Sequence, residues 1–279
     1  PIKPDYLIFR PFYGNAASVL DLIEAKGILF VTLEQAFSGE EAMELQRPGQ
    51  KYKHWIGEVA YDNANGGLLL LNALLKEHRI RHPAVEPAII GMGGDFDNLS
   101  ISRQQVLTDL AGTSEVRLNQ IFPTYWDPKN IATNFVMMLK RYPHTNIFWC
   151  AGDQLALETL AQHQLLSNKP IVAGGFDWLP KALLKIQKGE LTASAGGHFL
   201  MGAIAITKIF DYQNGIDRFS ASPSLYDFEV ITKENVDCYQ DFMQQRKWQE
   251  VNFNQFSAYK MGDEPKALSM QNIIKSIRE

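Results

Sequence analysis

Short apolar runs alternate with helix-forming stretches along most of this chain, and that alternation restricts its fold more than any other feature. Tyr6–Phe9 reads as a strand, Ala16–Ala25 as a helix closed by Gly27, and Ile28–Thr32 as the next strand. Asp62 reads as the N-cap of a helix running to about His78, and Ala88–Met92 as a strand ending in the loop Gly93–Ser100. A helix over Ile101–Leu110 and a strand over Val116–Ile121 follow. The second half repeats the scheme. Helices are expected over Asn130–Tyr142, Gln154–Leu166, Lys181–Lys188 and Phe199–Tyr212, and strands over Asn146–Cys150, Ile171–Gly175, Leu191–Ser194 and Tyr226–Ile231. A polar tail that contains helix closes the chain, and Glu40–Lys53 and Lys260–Lys266 read as loose segments. Strands that take turns with helices specify an α/β fold with doubly wound parallel sheets.

At 279 residues the chain exceeds the usual single core, which suggests two lobes or one large α/β unit. Its net charge of −4 argues against nucleic acid, which requires a clustered basic face. The longest apolar run, Gly66–Leu75, is interrupted by Asn72 and ends at Lys76, so it reads as a buried helix rather than a membrane span. Cys150 and Cys238 are in neither a CxxC nor a zinc arrangement and are expected as free thiols. No signal-peptide pattern is read here, and the opening at Pro1 without Met is expected to reflect processing or truncation.

Catalytic patterns are few. Gly91-Met-Gly-Gly-Asp-Phe lacks the spacing of a dinucleotide or phosphate loop, and no GxSxG, HExxH or paired-histidine set occurs. Five histidines (His54, His78, His82, His144 and His163) read as solvated side chains. His198, after Gly196-Gly197, stands where a strand meets a helix and reads either as a cleft residue or as packing. Polar and aromatic side chains instead recur at strand ends: Glu34-Gln35, Ser100 with Arg103, Tyr125-Trp126-Asp127, Asp153 and Asp177-Trp178. Carboxylates, amides and a guanidinium exchange hydrogen bonds with hydroxyls, and flat rings cover the apolar face of a sugar. Such a set, without an activated nucleophile, suits reversible binding of a small polar molecule, with no cofactor, metal or enzyme chemistry.

Seven stretches add a resemblance, in order: Lys3–Phe9, Gly27–Glu34, Tyr61–Gly67, Ser100-Ile-Ser-Arg103, Asn146–Leu157, Ile171–Pro180 and Ile186–Ser194. Together they resemble the type I periplasmic binding proteins, the ribose- and galactose-binding-like sugar receptors of ABC transporters. The resemblance implies ligand contacts at Glu34, Arg103, Trp126 and Asp177. Gln35 replaces an expected arginine, Gly152 an expected asparagine before Asp153, and His198 stands in for a strand-end glutamine. Trp178 is bulkier than the family's small residue and is either a pocket wall or lobe packing.

The resemblance implies two lobes joined by a three-segment hinge. The first would comprise 1–61 and 199–228, lacking the family's first two βα units, and the second 62–198 and 229–279. A sugar or sugar-like ligand in the interlobe cleft would serve ABC-transporter uptake in the periplasm, with a permease or a membrane sensor as partner. An extracellular sensing domain for signals such as autoinducer-2 is the alternative reading, and an enzyme on the same plan is the other-class rival.

Overall fold

The computed structural model describes residues 4–11, 14–34, 37, 39–110, 116–167, 171–219, 224–245, 247–262 and 265–278. Along the chain, β1 (Tyr6–Phe9), α1 (Ala16–Ala25), β2 (Leu29–Leu33), α2 (Gly39–Leu45) and β3 (Trp55–Tyr61) come first. Then follow α3 (Asn63–Arg81), β4 (Ala88–Gly93), α4 (Asn98–Leu110), β5 (Arg117–Pro123), α5 (Pro128–Arg141), β6 (Ile147–Cys150) and α6 (Asp153–Leu166). After these come β7 (Val172–Phe176), α7 (Pro180–Gln187), β8 (Ala193–Gly196), α8 (Met201–Gln213), β9 (Ser224–Tyr226) and β10 (Glu229–Thr232). The chain closes with α9 (Val236–Gln245), α10 (Ala258–Met261) and α11 (Met270–Arg278).

Two compact units result. The first comprises Pro1–Asp62, His198–Asp227 and Trp248–Glu279, and the second Asn63–Gly197 and Phe228–Lys247. The sequence reading put the whole tail with the second unit. The structure returns Trp248–Glu279 to the first, so the chain passes between units four times rather than three. The reason is Asp211 of α8, fully buried, which accepts hydrogen bonds from Ser257 Oγ, Ala258 N (3.0 Å) and Tyr259 N (3.1 Å). Arg218 joins the same knot, donating to Asp211 Oδ2 (3.0 Å) and to the Phe256 carbonyl (2.9 Å).

The first unit's sheet runs β1-β2-β3-β9, every pair parallel. Its core gathers Ala16, Leu20 and Ile23 of α1 against Phe30, Leu45, Tyr52 and Trp55, with the Phe30 and Trp55 rings stacked. Strand β3 is the sheet's third member and went unread in the sequence, and α2 occupies part of the segment expected to be loose.

The second unit's sheet runs β10-β8-β7-β6-β4-β5, parallel except for β10, which is antiparallel to β8. The chain goes from β4 out to β5 and then returns to β6 on the other side of β4. The order therefore reverses around β4, and the carboxyl ends beside such a reversal form the crevice where open α/β sheets hold ligands. The expected strand over Tyr226–Ile231 is two strands, β9 in one unit and β10 in the other.

Candidate functional site

Residues with positive φ mark the strand ends. Besides glycines, the described residues in this region are Glu34 (72°), Gln46 (62°), Tyr125 (53°), Trp126 (60°), Asp177 (106°) and Trp178 (59°). Five of the six belong to the strand-end groups singled out in the sequence. A side chain in this region costs of order 1–3 kcal/mol, and such residues cluster where a ligand is held.

In the second unit the strained turns converge. After β5, Asp127 N–H donates to the Thr124 carbonyl (3.0 Å), closing a turn whose two central residues, Tyr125 and Trp126, are both left-handed. Thr124 anchors it by donating through Oγ1 to Gly93 O (2.7 Å), while Asp127 caps α5 by accepting from Lys129 N (3.0 Å), with Pro128 opening the helix. The turn lays the Trp126 indole over Gly94, where a Cβ would stand only 2.4 Å from Cζ2. Trp126 remains 37% exposed, and Tyr125 and Phe96, also exposed, meet edge to face at 6.0 Å. A Cβ on Gly152, after β6, would lie 3.5 Å from Trp126 Cζ3 and 3.4 Å from Asp177 Oδ2. Indole and carboxylate thus flank the bare backbone at Gly152.

Asp153, expected as a ligand contact, is instead fully buried beneath that corner. Its Oδ1 accepts from Ser194 Oγ (2.8 Å) and its Oδ2 from Leu179 N (2.9 Å), while Trp178 N donates to Ser194 Oγ (3.3 Å). This network holds the Asp177-Trp178 turn in its left-handed form. Burial, and then the charge of Asp177, push the Asp153 carboxyl well above its ordinary range. Trp178 takes the packing reading. Its ring is wholly enclosed, donates through Nε1 to Ser194 O (3.0 Å) and meets Tyr239 at 5.0 Å.

Arg103 is 3% exposed, and its fork goes to protein. Nε and Nη2 donate to Asn63 Oδ1 (3.1 and 2.9 Å), Nη1 donates to Ala151 O (2.8 Å), and the guanidinium lies 4.2 Å from the Phe176 ring centre. It ties α3, the end of β6 and the end of β7 together. The expected fork to ligand oxygens is therefore engaged in bracing the strand ends that carry Trp126's neighbours.

In the first unit, Glu34 follows β2 and donates its N–H to Val59 O (2.9 Å); its carboxylate pairs with Arg10 Nε at 2.8 Å. Arg10, directly after β1, was missed by sequence reasoning; asking which charge follows each strand would have found it. Gln35 lies outside the described residues. His198, half-buried, meets Tyr61 edge to face at 6.2 Å, and Tyr61 packs on Tyr226 at 5.8 Å. Of the histidines expected in solvent, His78 is fully buried.

No helix among the described residues is long and apolar enough to cross a membrane. No protein-family model and no curated protein matches the chain. Solved structures do. A periplasmic sugar-binding protein from Pseudomonas fluorescens is similar over 98% of this chain and 82% of its own, at 23% identity and a TM-score of 0.82. An ABC-transporter periplasmic solute-binding protein from Actinobacillus succinogenes 130z, with bound D-allose, is similar over 85% of this chain and 81% of its own, at 21% identity and a TM-score of 0.70. The periplasmic binding component of the arabinose ABC transporter from Shewanella sp. ANA-3, bound to L-arabinofuranose, covers 88% of this chain and 78% of its own, at 15% identity and a TM-score of 0.67. The chain has the type I periplasmic binding protein fold, as the sequence resemblance implied.

Proposed function

We propose that this chain is a periplasmic solute-binding protein that takes a sugar, or a similarly hydroxyl-rich small molecule, for uptake by an ABC-transporter permease. The observation that carries the reading is the corner at Gly152, where the exposed Trp126 indole and the Asp177 carboxylate stand on two sides of unadorned backbone. The ring covers the C–H face of a pyranose or furanose, and the carboxylate accepts from adjacent hydroxyls. Each such charged hydrogen bond contributes about 1.5–3 kcal/mol once desolvated. Tyr125 and Phe96 extend the aromatic surface. The similar proteins that bind allose and arabinofuranose support the same ligand class. The reading is of binding rather than catalysis: no step needs a nucleophile, and the Asp177 carboxylate serves as an acceptor.

The test is thermal-shift screening and calorimetry against pentoses, hexoses and inositols in pyranose and furanose forms. One class should raise the melting temperature with saturable binding, and D177A should weaken it by at least about tenfold. A panel that stabilises nothing, or a D177A variant that binds as wild type does, would overturn the proposal.

A further inference from the structure

One cavity of the first unit has no part in that reading. It encloses about 830 Å³ beside the opening residues of β3, lined by Trp55, Ile56 and Glu58 of the strand, by Met43 of α2, and by Tyr212 and Phe219. Among the described residues β9 pairs with Val59–Tyr61 of β3, while the cavity is lined by Trp55, Ile56 and Glu58 from the strand's earlier half. That places it toward the amino end of β3, away from the carboxyl ends that carry Glu34 and Arg10.

Its walls mix aromatic and apolar side chains (Trp55, Phe219, Ile56, Met43) with polar ones. Gly57 makes room for Phe219, whose ring would lie 2.1 Å from a Cβ there. Among the polar ones is Glu58, a half-buried carboxyl in the middle of a strand, for which the described residues supply neither a hydrogen bond nor an ion pair. A largely desolvated carboxylate without a partner is costly, and such a group in a cleft marks a candidate binding position. Burial pushes the Glu58 carboxyl up to about 7. The other titratable groups of the lining are Tyr212, Asp217, Arg47 and Lys53.

We propose that this cavity is a second ligand site, taking a small amphipathic amine whose flat apolar body lies against Trp55 and Phe219 and whose ammonium meets Glu58. The volume falls within the range of small-molecule pockets, and a partly aromatic lining that includes an acid without a partner suits that class. Aromatic faces also attract the cation, which the acid neutralises.

Tryptamine is the probe, with indole-3-propionate as the ligand of the same body and opposite charge. Calorimetry on the whole chain should show saturable tryptamine binding and at least tenfold weaker binding of indole-3-propionate. E58Q, isosteric and uncharged, should weaken tryptamine by about tenfold or more. Below pH 7 Glu58 becomes protonated while the amine keeps its charge, so wild-type affinity should fall toward about tenfold per pH unit. E58Q should show no such dependence. Leu225→Trp, at a half-exposed position of the lining, should block the site without touching the core. No saturable tryptamine binding, equal binding of both probes, or an E58Q variant that binds and titrates as wild type does would each overturn the proposal.

Discussion

Trp126 and Asp177 stand on either side of Gly152, each within about one van der Waals contact of where a Cβ would project (3.5 and 3.4 Å). Gly152 is extended rather than left-handed, so its backbone tolerates a side chain. Gly152→Ala should therefore fold with stability within about 0.5 kcal/mol of wild type. The added methyl fills the space between ring and carboxylate, and ligand affinity should fall about tenfold or shift to a smaller ligand. Gly175→Ala is the contrast. Its Cβ would meet Gly152 O at 2.7 Å and Asp153 Oδ1 at 2.9 Å, so it should lose about 1–3 kcal/mol. Urea melts of the two variants, with calorimetry on the first, separate space made for a ligand from space needed for packing.

Asp177 has a φ of 106°, a conformation suited to glycine. Asp177→Gly should relieve that strain and gain about 1 kcal/mol of stability while losing ligand binding. A variant that is less stable than wild type would show that the carboxylate, not its binding role, keeps the turn in place.

The turn itself depends on Asp153 and Ser194. Removing the Asp153 carboxylate leaves Ser194 Oγ and Leu179 N without their acceptor in a buried site, and Asp153→Ala should cost about 2–4 kcal/mol. Ser194→Ala should cost less, about 1–2 kcal/mol, and the double variant should fall short of the sum because the two share one network. Both should also weaken ligand binding through the displaced Asp177. Urea denaturation of the three variants with ligand titration checks this.

The fold was legible because period-2 and helical apolar patterns alternate with few breaks. What escaped notice had local causes. In β3, Gly57 and Glu58 interrupt the apolar pattern that marks a strand, and Glu58 faces a cavity rather than solvent or core. The run Tyr226–Ile231 reads as one strand because pattern alone cannot show that Asp227-Phe228 carries the chain from one sheet to another. Of the candidate site, Trp126 and Asp177 were legible as polar or aromatic groups at strand ends. The inward roles of Asp153, Arg103 and Trp178 were not: Trp178 sits in a left-handed turn, which redirects successive side chains, and Asp153 and Arg103 belong to helices whose polar side chains turn inward only because of long-range partners, Ser194 and Asn63.

The two thiols should separate cleanly. Cys150 is buried on β6 beside Thr159 Oγ1 (3.8 Å), and burial pushes its thiol up to about 12, whereas Cys238 is exposed on α9. A thiol-reactive chromophore should label one equivalent in the native protein at pH 8 and two in denaturant, with mass mapping placing the native label on Cys238. Native labelling of Cys150 would mean that β6 opens far more readily than its central place in the sheet implies.

His78 sets a pH dependence. It is fully buried on α3, and neither ring nitrogen finds a hydrogen-bond partner among the described residues. The His82 ring lies 5.5 Å away, and burial, with the neighbouring charges of His82 and Arg79, holds the imidazole below its ordinary pKa. The folded state thus favours the neutral ring. This contribution is fully present above the unfolded value of about 6.5 and is lost as pH falls through that value to the lower folded one. Within that window the slope approaches about 1.4 kcal/mol per pH unit. His78→Leu removes the buried unsatisfied nitrogens and the titration together. At pH 8 it should be neutral or stabilising by about 1 kcal/mol, and its advantage over wild type should widen as pH falls below 6.5. Because burial also lowers His163, some acid sensitivity should persist in the variant, so the informative quantity is the difference between the two proteins across a pH series of urea melts. A difference that stays constant from pH 8 to pH 5 would show that His78 is already charged, or already reached by solvent, in the folded protein.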